Sequence, residues 1–228
     1  MLLSLLELKL LLKGYSLLHA ACIERDHKAN LIIAPPETGK TFTIIRLIKD
    51  HGFNFMSDDI VIVGPGGLLY CFPTPMTVHT YHLKKLNLKL PISLSLKMRL
   101  RWFFKGLPLI GRTIGEFKLP FEEVIGKEKL VLKSRVHRIY LLMKGPKALK
   151  EIDVEEALKR LLVVGRMHRN IFEDPIVRYA YMHPTIDLDG LFKAQRDIYE
   201  ELIARAECFM ISSRDRMYYA EAIAELSS

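Results

Sequence analysis

The stretch Ala34-Pro35-Pro36-Glu37-Thr38-Gly39-Lys40-Thr41 limits what this chain can fold into more than any other. The short, largely apolar run of residues 30–33 precedes it. Phe42, Ile44, Ile45, Leu47 and Ile48 follow at helical spacing, and Gly52 stops the run, so the order is strand, loop, helix. A loop of the pattern A-x-x-x-x-G-K-T at such a junction turns backbone N–H groups inward at a helix N-terminus, where the dipole adds partial positive charge. The expected nucleotide-binding set is therefore Ala34, Pro35, Pro36, Glu37, Thr38, Gly39, Lys40, Thr41 and Phe42. Within it, Lys40 reaches the outer phosphates and the Thr41 hydroxyl holds Mg²⁺. The plainer reading is an ordinary turn between a strand and a helix. The strand before it and the helix after it favour the nucleotide.

Two further features flank the loop. His19 lies fifteen residues before Ala34, and the pair Asp58-Asp59 begins eighteen residues after Lys40. Each sits at a predicted strand end, and ligands in α/β sheets bind beyond the carboxyl ends of the strands. A histidine in an apolar stretch is ordinarily a satisfied core residue, and an acidic pair at a strand end is ordinarily solvated. Beside a phosphate loop the same residues fit phosphoryl transfer, with one carboxylate on Mg²⁺ and another accepting a proton from an attacking hydroxyl.

Taken together, Leu18-His19-Ala20-Ala21, the loop, its helix, residues 52–63 with their Ser57-Asp58-Asp59, and Phe72-Pro73-Thr74-Pro75 resemble HPr kinase/phosphorylase and its HPr kinase-like relatives. That family shares its nucleotide site with phosphoenolpyruvate carboxykinases. The resemblance covers residues 15–80 closely, and residues 136–165 and 207–226 only in element order. It implies an α/β fold: a single P-loop domain over residues 1–228, with a mixed sheet, flanking helices and an irregular basic insertion at about 83–135. It also implies an ATP-dependent kinase that passes the γ-phosphoryl group to a serine-type hydroxyl on a protein, peptide or small molecule. ATP and Mg²⁺ are the implied cofactors, and a homo-oligomer is a further expectation. Lys40 would bind the β/γ-phosphates, Thr41 and Asp59 would serve the metal, Asp58 would be the general base, and His19 would sit beside the transferred group.

The chain also departs from that pattern. Pro35 and Pro36 carry no N–H and remove two donors from the cradle. Glu37 stands where the family has a glycine, which costs on the order of 1 kcal/mol if the position needs a positive φ. The family's acidic signature has no counterpart in residues 83–132, so phosphorylase activity is not expected. Arg99, Arg101, Arg112 and Arg135 are the candidates for an arginine that assists transfer. These departures keep a second reading open, a non-catalytic nucleotide-binding or sensing module.

Composition narrows the partners. The chain has 228 residues, 50% of them hydrophobic, enough for a substantial core. Residues 83–140 hold fourteen Lys/Arg against four Asp/Glu, more than the whole net charge of +8, so the basic character belongs to one segment. Its cluster Trp102-Phe103-Phe104 between Arg and Lys is read as a half-buried face, not as a nucleic-acid or membrane surface. Cys22, Cys71 and Cys208 are widely spaced and fit reduced thiols in a cytoplasmic protein. His137, His168 and His183 lack metal-ligand spacing. The leucine-rich residues 1–12 are interrupted by Glu7 and Lys9, and no uncharged run reaches 18 residues, so a buried opening helix or strand is expected and no membrane span. Further on, the spacing predicts strands over 15–23, 53–56, 60–63, 68–72, 136–143 and 208–211. It predicts helices over 153–164 (closed by Gly165), 187–206 and 214–226.

Overall fold

Eleven consecutive residues, Lys133–Met143, form strand β9, and the sheet is organised around it. The computed structural model describes residues 2–72, 74–77, 96, 118–167 and 173–227. Arg99, Arg101, Arg112, the Trp102-Phe103-Phe104 cluster, Pro73 and His168 lie outside the described residues, as does most of the expected basic insertion.

Along the sheet the order is β1 (Ser16–Leu18), β5 (Val61–Gly64), β6 (Leu68–Cys71), β9, β3 (Lys28–Ile33), β2 (Ala21–Arg25) and β4 (Asn54–Ser57). On its other edge β9 changes neighbour partway along. Lys133 to Arg135 pair antiparallel with β6, and Arg138 to Met143 pair parallel with β11 (Glu207–Ser212). The burial pattern follows the change. The first half of β9 alternates between exposed and buried, and residues 139–142 are all buried, as expected of a strand covered on both faces. Strands β3, β9 and β11 run parallel, so their carboxyl ends at Ile33, Met143 and Ser212 lie on one side of the molecule. The edge strand β10 (Ala148–Glu151) runs antiparallel to β11, and neither it nor the two-residue pair β7 (Met76–Thr77) and β8 (Lys118–Leu119) was expected from the sequence.

Helices cover both faces. On one, α2 (Lys40–His51) and the last helix pack over Ile23, Ile32, Phe55 and Tyr140. On the other, α3 (Val154–Met167) and α5 (Leu188–Ile203) cover Leu31, Ile33, Ile139 and Leu141. Between these two in sequence lies α4 (Glu173–Met182), and α6 (Arg216–Leu226) is the last helix. The caps are local and readable. Gly52 adopts φ 74° and donates its N–H to the Leu47 carbonyl, Asp187 accepts from the Gly190 N–H, and Asp215 accepts from the Met217 N–H. Asp153 accepts from the Glu156 N–H at 2.7 Å, as the capping pattern predicts.

The opening leucines form α1 (Leu2–Leu11), whose Leu3, Leu6 and Leu10 pack around Leu17 and Ile60. Two expectations are corrected. The single strand over 15–23 is two strands, broken at His19-Ala20, where the Ala20 N–H turns back to the Leu18 carbonyl. Gly165 does not close its helix: α3 runs on to Met167, and nothing crowds the position to forbid a helical glycine. No helix among the described residues is long and apolar enough to cross a membrane.

Candidate functional site

The loop leaves β3 at Ile33 and returns as α2 at Lys40. Its first bend is tied by the Thr38 N–H to the Pro35 carbonyl. Glu37 adopts φ 61°, the left-handed conformation that favours glycine, and the residue is exposed. Gly39 adopts φ 117° and its carbonyl accepts from both the Thr43 N–H and the Thr43 hydroxyl, which starts the helix. Thr38 is buried, and Pro36 is exposed at the outer rim. The missing N–H groups therefore belong to Pro35 and Pro36, at the start of the loop, while Thr38, Gly39, Lys40 and Thr41 keep theirs.

From this base the side chains converge. The Lys40 ammonium donates to His19 Nε2 at 2.9 Å and stands 3.7 Å from Asp59 Oδ1. An ammonium at Lys40 donates, so Nε2 is the accepting nitrogen of this pair. Asp59 Oδ1 is also 3.7 Å from His19 Nε2. The Thr41 hydroxyl donates to Asp58 Oδ2 at 3.1 Å. The break between β1 and β2 is what positions His19, because a continuous strand would carry it past the loop. The acidic pair is set by a turn in which the Ser57 hydroxyl donates to the Ile60 carbonyl, placing Asp58 inward and Asp59 toward solvent.

Burial makes this cluster electrostatically active. Asp58 is 3% exposed, and its Oδ1 has no hydrogen-bond partner among the described residues. Burial pushes its carboxyl up to about 6, with Asp59 adding to the rise and Lys40 and Thr41 opposing it. Burial likewise lowers the Lys40 ammonium, while Asp59 and Asp58 pull it back up. An orphaned buried carboxylate oxygen of this kind is expensive unless something meets it. A cation or an acceptor proton would meet it. The Thr41 hydroxyl and the two carboxylates are hard oxygen donors of the type Mg²⁺ takes, and Mg²⁺ needs only one or two carboxylates when a substrate phosphate supplies the rest. Accordingly, no group of three His, Cys, Asp or Glu among the described residues forms a complete metal cage.

The arginine that reaches the loop is Arg216, the first residue of α6, which no local motif marks in the sequence. Its Nη2 donates to the Glu37 carbonyl at 3.1 Å, and its stem covers Gly39. Arg135, the one described candidate among the expected arginines, pairs across from Lys28 and Leu68 at the amino-terminal end of β9. That is the opposite end of the sheet from the loop, so Arg135 is corrected out of the site. His137 and His183 stand apart from the cluster as expected, and the three cysteines are free thiols. An apolar cleft of about 360 Å³ adjoins the loop at the strand ends, lined by Ile33, Pro35, Met143, Val163 and Met210 among others.

Comparison with protein-family models and with curated proteins returns no match. Among solved structures, the chain is similar to the Hpr(Ser) kinase/phosphatase from Coxiella burnetii, at 14% identity over 68% of this chain and 96% of that one, with a TM-score of 0.35. Likeness at that level fixes neither family nor activity, so the case for function stands on the site itself.

Proposed function

We propose that this chain is an ATP-dependent kinase for a hydroxyl acceptor, with the nucleotide's phosphates held by the loop of residues 34–41 and transfer taking place between Lys40 and Asp58. The observation that carries the reading is the convergence of His19, Lys40, Thr41, Asp58 and Asp59 from three separate segments onto one point at the loop. The N–H groups of Gly39, Lys40 and Thr41 and the Lys40 ammonium face the phosphates, and the apolar cleft beside Pro35 suits a purine base. Thr41, Asp59 and Asp58 would hold Mg²⁺, which would supply charge neutralisation to the nucleotide's phosphates.

The acceptor oxygen attacks the γ-phosphorus, the bond to the β-phosphate oxygen breaks, and ADP leaves with that electron pair. The acceptor's proton passes to Asp58 Oδ1, the atom without a partner. A carboxyl with a pKa of about 6 is mostly ionised at neutral pH and is a stronger base than an ordinary aspartate. His19, hydrogen-bonded through Nε2 to Lys40, gives the transferred group a polar neighbour.

Labelled ATP with candidate hydroxyl acceptors tests the reading. Wild type is expected to transfer label, and Lys40→Ala and Asp58→Asn to lose at least about 10²-fold of that activity. Equal transfer by all three proteins contradicts it. Saturable nucleotide binding without transfer to any acceptor marks a nucleotide-sensing module instead.

A further inference from the structure

A second cavity opens on the other side of His19 from the loop. It has a volume of about 450 Å³ and lies between β1, α3 and α5. Leu17, Leu162, Phe192 and Tyr199 form its apolar wall, and Arg166, Lys193 and Arg196 bring three cations to its lining. All three cations are exposed and so accessible from solvent. Arg196 is neutralised in part by Glu200 at 2.7 Å, and no acidic side chain lines the cavity itself. The wall is held in place from behind. Gln195 donates to Glu7 Oε1 at 3.0 Å, and the Tyr199 hydroxyl donates to the Leu17 carbonyl at 2.9 Å. The decisive contact is His19, which lines this cavity and also accepts from Lys40 at 2.9 Å. One side chain thus borders both the proposed phosphate site and the cavity.

We propose that this cavity is the acceptor subsite and that the acceptor is a small anionic alcohol, a molecule with a hydroxyl to phosphorylate and a carboxylate or phosphate to anchor. The proposal rests on the kinase reading above and specifies its second substrate. The volume suits a whole small molecule. Arg166 and Lys193 anchor the anionic end, Phe192 and Tyr199 pack the carbon skeleton, and the hydroxyl emerges past His19 toward Asp58. Nothing else in the lining could neutralise an acidic ligand so readily, and a neutral alcohol would leave the cations without a role.

Two measurements on the full chain test this separately from the kinase reading. Calorimetry without nucleotide, titrating glycerate, glycerol phosphate and glycerol, reads the cavity alone. Transfer from labelled Mg–ATP to the same three reads the reaction. One or both anions are expected to bind and to be phosphorylated, with glycerol at least about tenfold poorer in kcat/KM, a difference of roughly 1.4 kcal/mol. Whichever anion is preferred identifies carboxylate or phosphate as the anchor. Arg166→Ala with Lys193→Ala, two exposed positions, is expected to raise the acceptor KM about tenfold or more and leave the KM for ATP unchanged. Glycerol used as well as the anions, or an unchanged acceptor KM in the double variant, overturns the proposal. So does transfer confined to a protein acceptor, or failure of both anions to bind while ATP still does. Anion binding by a protein that binds no nucleotide sinks the kinase reading, and the acceptor role with it.

Discussion

Gly39 shows how narrow the tolerance of the loop is. Its φ of 117° is strained for any side chain, and a Cβ there would meet Cγ and Cδ of Arg216 at 3.0 Å. Gly39→Ala is therefore expected to destabilise the protein by about 1–3 kcal/mol in chemical denaturation and to weaken nucleotide binding. Unchanged stability would mean the loop relaxes at no cost. Away from the loop, Glu7 is a buried carboxyl whose charge responds to pH near neutrality. It is 1% exposed, accepts from the Ser16 hydroxyl, the Leu17 N–H and Gln195, and has no cation beside it among those contacts. Burial pushes its carboxyl from 4.5 up to about 7, against those three hydrogen bonds. Because the folded-state pKa is the higher one, the unfolded chain loses this proton first as pH rises. Stability from Glu7 is then complete below about pH 4.5 and is lost by the time pH passes 7, a change on the order of 3 kcal/mol. Denaturation midpoints are expected to fall between pH 5 and 8 in wild type and to fall less in Glu7→Gln. Parallel slopes would contradict this. At the residue scale much of the site was legible, because His19, the loop and Asp58-Asp59 each sit in short local patterns. The conformation of Glu37 was not, since a positive φ on a glutamate leaves no signature beyond the absent glycine. The same holds for Arg216, which meets the loop only through the packing of α6 on α2.

At the scale of elements, the long periodic segments gave themselves away and the breaks did not. Helix α2 was readable from its apolar spacing and its closing glycine, and α5 from its amphipathic face. The break at His19-Ala20 was hidden because Tyr15 to Ile23 alternates well enough for one strand, and only the antiparallel pairing of β1 with β5 and of β2 with β3 pulls it apart. Gly165 looked like a stop because glycine is a poor helix former, yet packing of Leu158, Leu161 and Val164 carries the helix through it. Helix α6 has a role of its own in the site through its first residue. Arg216→Ala is expected to lower nucleotide affinity about tenfold in a binding titration while shifting thermal stability little, since the side chain is only half-buried. Affinity equal to wild type would confine Arg216 to covering Gly39.

Over the whole molecule, one sheet carries two apolar layers, and β9 belongs to both. Tyr140 and Leu142 point to the layer under α2 and α6, while Ile139 and Leu141 point to the layer under α3 and α5. A truncation on β9 therefore weakens the frame that holds the strand ends and the loop together. Ile139→Ala, at a side chain 1% exposed, is expected to cost about 2–5 kcal/mol in denaturant unfolding. Sequence patterns exposed the three parallel strands of that frame, but their order and the change of neighbour along β9 depend on long-range pairing that no local pattern encodes. The central claim is that this frame presents a polyphosphate site at residues 34–41. Calorimetry with magnesium and a non-hydrolysable ATP analogue tests it most directly. One equivalent should bind to wild type and binding should be lost in Lys40→Ala, whereas no binding to wild type, or equal binding to both, would contradict the account.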